Sequence, residues 1–166
     1  LRAIVRTTLG ADAQALGAEV LVERYQGRRF NSPNDIVVKR DGTLWFTDPP
    51  YGILSNREGY QADSELGQCF VFRFDPRNGS LRVVSNFMEH PNGLAFSPDE
   101  SVLYVSDTSA AIRTDGGGNH HIVAFDVVGG EDLAHPRVFA TIEPGLADGF
   151  RLDAHGFLYT STGDSV

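Results

Sequence analysis

A single cysteine, Cys69, occurs in 166 residues, so no disulfide can form within the chain. That scarcity leaves the compartment open between cytoplasm and periplasm or secretion, since exported bacterial enzymes also go without disulfides. Cys69 sits in the apolar run Cys69-Phe70-Val71-Phe72 and reads as a buried thiol. Clustered positive charge is missing as well. The longest basic runs are Arg28-Arg29 and Lys39-Arg40 and the net charge is −8, which argues against a nucleic-acid partner. No apolar stretch reaches the length of a membrane span, so no membrane partner is expected. No signal peptide is visible. The sequence opens at Leu1, without Met, in strand-like residues, so that absence carries little information. Helical periodicity is weak throughout. Only residues 12–20 are rich enough in alanine for a helix, and a loop fits them equally. A Gly-x-Ser-x-Gly nucleophile motif is lacking, and Gly116-Gly117-Gly118 has no phosphate-loop lysine beside it.

What is present points to many short strands. Hydrophobic residues make up 41%, with 18 glycines and 8 prolines to punctuate turns. Three segments align. Pro33-Asn34-Asp35-Ile36-Val37-Val38 is followed by a turn at Asp41-Gly42 and by Trp45-Phe46-Thr47-Asp48. Pro91-Asn92-Gly93-Leu94-Ala95-Phe96 is followed by Pro98-Asp99 and by Tyr104-Val105-Ser106-Asp107. Ala147-Asp148-Gly149-Phe150-Arg151-Leu152 is followed by Asp153-Ala154-His155-Gly156 and by Leu158-Tyr159-Thr160. Each is a strand, a tight turn and a second strand. Further hairpin material follows the first two, at residues 69–85 and 121–142, and residues 19–25 read as an outer strand ahead of the first. Units of about four strands predict an all-β β-propeller, with residues 1–166 forming one incomplete domain of about three blades.

Asn34, Asn92 and Asp148 hold the same place in each unit, just before its first strand, at intervals of 58 and 56 residues. The first strand of every blade lines a propeller's central channel, so these three face one another across the axis. Two amide oxygens and one carboxylate are hard donors suited to a divalent metal. Ca²⁺ leads, and Mg²⁺, Mn²⁺ or Zn²⁺ also accept oxygen ligands.

The three segments resemble the gluconolactonase group of the senescence-marker-protein, gluconolactonase and luciferin-regenerating-enzyme family. The carrying residues are Arg29-Phe30-Asn31-Ser32-Pro33-Asn34-Asp35 with Trp45-Phe46-Thr47-Asp48-Pro49-Pro50-Tyr51-Gly52, then His90-Pro91-Asn92-Gly93 with Ser97-Pro98-Asp99, then Ala147-Asp148-Gly149-Phe150. The Pro-Asn-Gly pattern is shared with paraoxonases and strictosidine-synthase-like proteins. The resemblance implies a six-bladed propeller with an axial metal and hydrolysis of a sugar lactone to the aldonic acid. Asn34, Asn92 and Asp148 match metal-site positions. Arg29 and Asn31 match positions that contact the small-molecule lactone in some members. A fourth ligand, a Glu, would lie upstream of Leu1; Glu19 and Glu23 fall in outer-strand sequence.

Lactone hydrolysis needs a polarised carbonyl, an activated water and a stabilised oxyanion. Asp148 is the candidate for ligand and base together, the alternative being a metal ligand alone. Asp48 and Tyr51, in a Pro-Pro loop, are candidates for the pocket wall or for a rigid turn. His90 is a substrate-side candidate or a rim histidine, and Asp107 is read as a strand-end turn residue. Two competing functions remain: a paraoxonase-like esterase and a non-catalytic calcium-binding propeller. Oligomeric state is not encoded in any motif.

Overall fold

The computed structural model describes residues 1–164; Ser165 and Val166 lie outside the described residues. The chain is all-β. Among the described residues are fourteen strands, one helical turn at Tyr51–Leu54 and one 3-10 turn at Ser109–Ala111. Two antiparallel sheets of four strands follow one another in sequence. The first runs in the order β5 (Ile36–Val38), β6 (Leu44–Asp48), β7 (Phe70–Asp75), β8 (Ser80–Ser85). The second is built identically from β9 (Pro91–Phe96), β10 (Val102–Asp107), β11 (His121–Val128) and β12 (Asp132–Thr141). Hairpins flank them: β1 (Ile4–Leu9) with β2 (Ala15–Val22), β3 (Arg24–Tyr25) with β4 (Arg28–Arg29), and β13 (Phe150–Leu152) with β14 (Leu158–Thr160). A four-stranded antiparallel meander is the unit from which propeller blades are made.

Alternate residues of each central strand serve two different cores. Trp45, Leu94, Leu103, Val105 and Val123 point into a cluster between the two sheets, with Val71 and Phe125. Phe46, Phe72 and Phe74 point the other way, onto Phe30 and the first hairpin, while Ala95 and Ile122 pack on Phe150. A sheet covered on both faces has no solvated side to make polar, so β7 is buried at every residue. The last strands, β8 and β12, are mostly half-exposed or exposed. Trp45 is fully buried, meets Phe96 edge to face at 5.3 Å, and donates its indole N–H to Thr43 Oγ1 at 3.0 Å.

Residues 12–20 differ from the expectation of helix or loop. From Ala15 onward they form β2, whose register runs from Leu9↔Ala15 to Ile4↔Val22. Pairing with β1 overrides the helical preference of alanine, as tertiary context commonly does. Residues 19–25 accordingly divide between β2 and β3 rather than forming one strand.

Candidate metal centre

The second strand of each four-stranded sheet ends on a buried aspartate, and that residue organises the loop leading into the first strand. Asp48 accepts from the backbone N–H groups of Asn31 and Ser32, both at 2.8 Å. Asp107 does the same for Glu89 at 2.9 Å and His90 at 3.2 Å, and takes two further bonds from Ser109 N and Asn119 Nδ2. The aspartates thus fix the chain two or three residues ahead of Asn34 and Asn92. Asp107 is a strand-end turn residue, as its phase suggests.

The two carboxyls differ in charge balance. Burial pushes Asp48 up to about 7, only partly opposed by its two backbone bonds. Burial also raises Asp107, but its four hydrogen bonds outweigh that and hold it below the usual carboxylate value. A buried acid with a raised folded-state value favours the fold only while protonated. The contribution is therefore complete below about pH 4 and is lost as pH rises toward 7. Urea unfolding of the full-length protein is expected to show the wild type losing ground to Asp48→Asn across that range. The loss is at most about 4 kcal/mol, and the difference is flat above the range. A gap that widens in favour of the wild type with rising pH would contradict this.

Asn34 and Asn92 are placed by strand register. Asn34 N donates to Thr47 O, and Thr47 N donates to Asp35 O, so two residues oppose one. In the second sheet the register moves from Leu94↔Val105 to Pro91↔Asp107, which leaves Asn92 and Gly93 together opposite Ser106. Asn92 therefore lies inside β9, at a bulge, and not just ahead of the strand as expected. Bulges re-aim a side chain out of the alternating pattern. Gly93 makes the next unit's approach possible. A Cβ there would stand 2.2 Å from Asp148 O, and Gly93 N donates to that same oxygen at 3.1 Å.

Asn34, Asn92 and Asp148 line one cavity of about 310 Å³, together with Tyr51, Thr108 and Glu58. Asn92 Nδ2 donates to Thr108 Oγ1 at 3.2 Å, which leaves Oδ1 as its free end. The hydroxyl of Tyr51 also bonds Thr108 Oγ1, and burial raises that phenol to about 12. Among the described residues the side-chain oxygens of Asn34, Asn92 and Asp148 accept no hydrogen bond. Asn92 is buried, whereas Asn34 and Asp148 are open to solvent on the cavity wall. Two amide oxygens and a carboxylate lining one space are hard donors of the kind that suits a divalent cation. No group of three His, Cys, Asp or Glu able to hold a metal occurs among the described residues, consistent with a donor set in which two members are amides.

A second cavity of about 730 Å³ adjoins the first, shares Asn34, Tyr51 and Glu58 with it, and is also lined by Arg29, Ser32 and Tyr60. Glu58 is a carboxylate that no motif brought here. It lies on the irregular loop after the helical turn, pinned next door by Gly59, where a Cβ would stand 2.1 Å from Gly52 O.

Asn31, Asp48 and His90, all candidates for substrate contact, fall outside these two cavities, and Asn31 and His90 line a separate one of about 400 Å³. Asn31 is buried, and its amide is consumed by Asp48 O, Gln68 O and Ser64 Oγ, which gives it a structural place and no free group for a ligand. Asp48 is fully buried beneath the loop and forms a rigid turn rather than a wall. His90 faces that separate cavity with Cys69 and Met88, and its ring lies tilted against Tyr51 with centroids 6.2 Å apart. Its buried Nδ1 has no partner, and burial lowers its pKa.

Paired four-stranded meanders with an oxygen-lined cavity at their first strands define an all-β protein built from a repeated antiparallel unit. Residues 3–165 match the profile of the SMP-30/Gluconolactonase/LRE-like region, and the chain belongs to that family. A gluconolactonase of Zymomonas mobilis is 41% identical over 106 residues, covering 64% of this chain and 29% of that protein. The lactonohydrolase oryL of Aspergillus oryzae is 30% identical over 164 residues, covering 89% and 37%. The solved structure of a gluconolactonase from Xanthomonas campestris superposes with a TM-score of 0.83 at 46% identity, over 98% of this chain and 50% of that one. The chain thus spans about a third of the length of these curated relatives. Among the described residues no helix is long and apolar enough to cross a membrane.

Proposed function

We propose that the full-length protein is a metal-dependent hydrolase that opens a sugar lactone to its aldonic acid. In this reading residues 1–166 belong to one six-bladed β-propeller domain and supply about three of its blades. One divalent cation, Ca²⁺ foremost, sits on its axis, held by Asn34, Asn92 and Asp148. The observation that carries the reading is that these three oxygen-bearing side chains, from three successive units, line one cavity in a chain of the gluconolactonase family.

A bound divalent cation supplies Lewis acidity for the lactone carbonyl and for water. The chain's own residues do the rest. The Asp148 carboxylate takes a proton from the attacking water. Water oxygen joins the carbonyl carbon, the ring C–O bond breaks, and the proton passes to the departing ring oxygen, leaving the hydroxy acid. Asn34, whose amide has no protein partner, can also donate to the developing oxyanion. Asn92 is less free for that, since its Nδ2 already bonds Thr108. Tyr51, fixed through Thr108, walls both cavities, and Arg29 and Glu58 line the larger one through which substrate enters.

The test is hydrolysis of glucono-1,5-lactone by the full-length protein, stripped with chelator and then reloaded with Ca²⁺, Mg²⁺, Mn²⁺ or Zn²⁺. Turnover is expected to vanish on stripping and return on reloading. Turnover that is indifferent to chelation, or absent with every metal, contradicts the reading.

A further inference from the structure

The three ligand segments are joined by hydroxyl bridges that repeat from one sheet to the next. Thr47 on β6 is fully buried, and its Oγ1 donates to Asn92 O at 2.7 Å, crossing into the neighbouring sheet. The same oxygen accepts Asp35 N at 3.2 Å, beside Asn34. Ser106 holds the matching place on β10 and is also fully buried. Its Oγ lies 3.2 Å from Asp148 O, again in the next unit, and 3.4 Å from Gly93 O, beside Asn92. Its single proton goes to the nearer carbonyl. Each hydroxyl thus touches its own unit's ligand segment and grips the backbone of the next unit's ligand residue. Leu94 N adds a third tie by donating to Asp35 Oδ2 at 3.1 Å.

Strand-end hydroxyls could serve packing alone, but packing needs no hydroxyl. Valine fills the volume of threonine, and alanine nearly that of serine. What the hydroxyl adds is a fixed distance between one ligand's peptide and the next. Cation sites are sensitive to that spacing, because ligand number and cavity size set affinity.

We infer that Thr47 and Ser106 are positioning residues of the metal site, setting the separation of Asn34, Asn92 and Asp148 through their main chains. The inference rests on the proposed metal reading. It is tested in the full-length protein by calorimetric titration with Ca²⁺ after chelation, alongside melting of the metal-free forms. Thr47→Val and Ser106→Ala are each expected to weaken Ca²⁺ binding about tenfold. Thr47→Ser, which keeps the hydroxyl, is expected to stay within about twofold of wild type. Metal-free melting of Ser106→Ala should change little. Equal Ca²⁺ affinity in wild type, Thr47→Val and Ser106→Ala overturns the inference. So does an affinity loss in Thr47→Ser equal to that in Thr47→Val. If Thr47→Val does not fold, Ser106→Ala and Thr47→Ser decide the matter. A wild type that binds no divalent cation defeats the underlying reading instead, so the two failures are separable.

Discussion

Replacing Asp148 with asparagine is expected to lower kcat/KM for glucono-1,5-lactone by at least about 10³-fold in the full-length protein, while the fold survives. Asp148 is anchored through its main chain: its carbonyl oxygen is held by Gly93 N and by Ser106 Oγ, and neither bond involves the carboxylate. The side chain can therefore change without releasing the segment. Asparagine keeps the shape and one oxygen donor but removes the negative charge and the proton acceptor. Positioned general bases contribute about 10² to 10⁴ in rate, and a 10³-fold loss corresponds to about 4 kcal/mol of transition-state stabilisation. Divalent binding should weaken without disappearing, because Asn34 and Asn92 remain. Steady-state kinetics at saturating metal separate the two effects. An unchanged rate would remove Asp148 from the chemistry and leave it as a ligand alone.

The second large effect is on the frame. Gly93→Ala is expected to destabilise the full-length protein by about 3 kcal/mol and to damage metal binding with it. The added Cβ would stand 2.2 Å from Asp148 O and 2.9 Å from Gly149 Cα, both backbone atoms with nowhere to turn. Overpacking of well-fitted regions typically costs about 1–3 kcal/mol, and separating the two segments also breaks the Gly93 N to Asp148 O bond. Gly17→Ala is the control. It lies on exposed β2 with nothing within 4 Å of its would-be Cβ, and it should be neutral or slightly stabilising. Urea midpoints compare the pair. Equal midpoints would mean that the close approach at Gly93 carries no constraint.

Much of the fold is readable in the residues. Strands such as β6 and β10 announce themselves through aromatic and β-branched runs after Asp-Gly or Pro-Asp turns, and their pairing follows from short connections. The equivalence of Asn34, Asn92 and Asp148 is readable too, because a repeat converts spacing into position. Family membership follows from the same segments. β2 is harder, since Ala15-Leu16-Gly17-Ala18 has no strand character of its own and acquires it from β1. The bulge at Asn92 is hidden because a register shift leaves no trace in residue type.

The site's periphery is the least legible part. Asn31 and Asp48 look like pocket residues in a loop of Ser, Pro and Asn, yet they spend their polar atoms on each other and on neighbouring backbone. Sequence shows that a polar group exists, not which way it turns. Glu58 is the converse case. It stands in an irregular loop with no periodicity, and only the packing of Gly59 on Gly52 brings it to the cavity.

The most direct test of the metal centre is anomalous diffraction from crystals of the full-length protein loaded with Mn²⁺ as a stand-in for the native cation. One strong peak is expected, bounded by Asn34 Oδ1, Asn92 Oδ1 and an Asp148 carboxylate oxygen, each at about 2.0–2.6 Å. A peak elsewhere, or none at a concentration where calorimetry shows saturation, would contradict a cation held by these three residues.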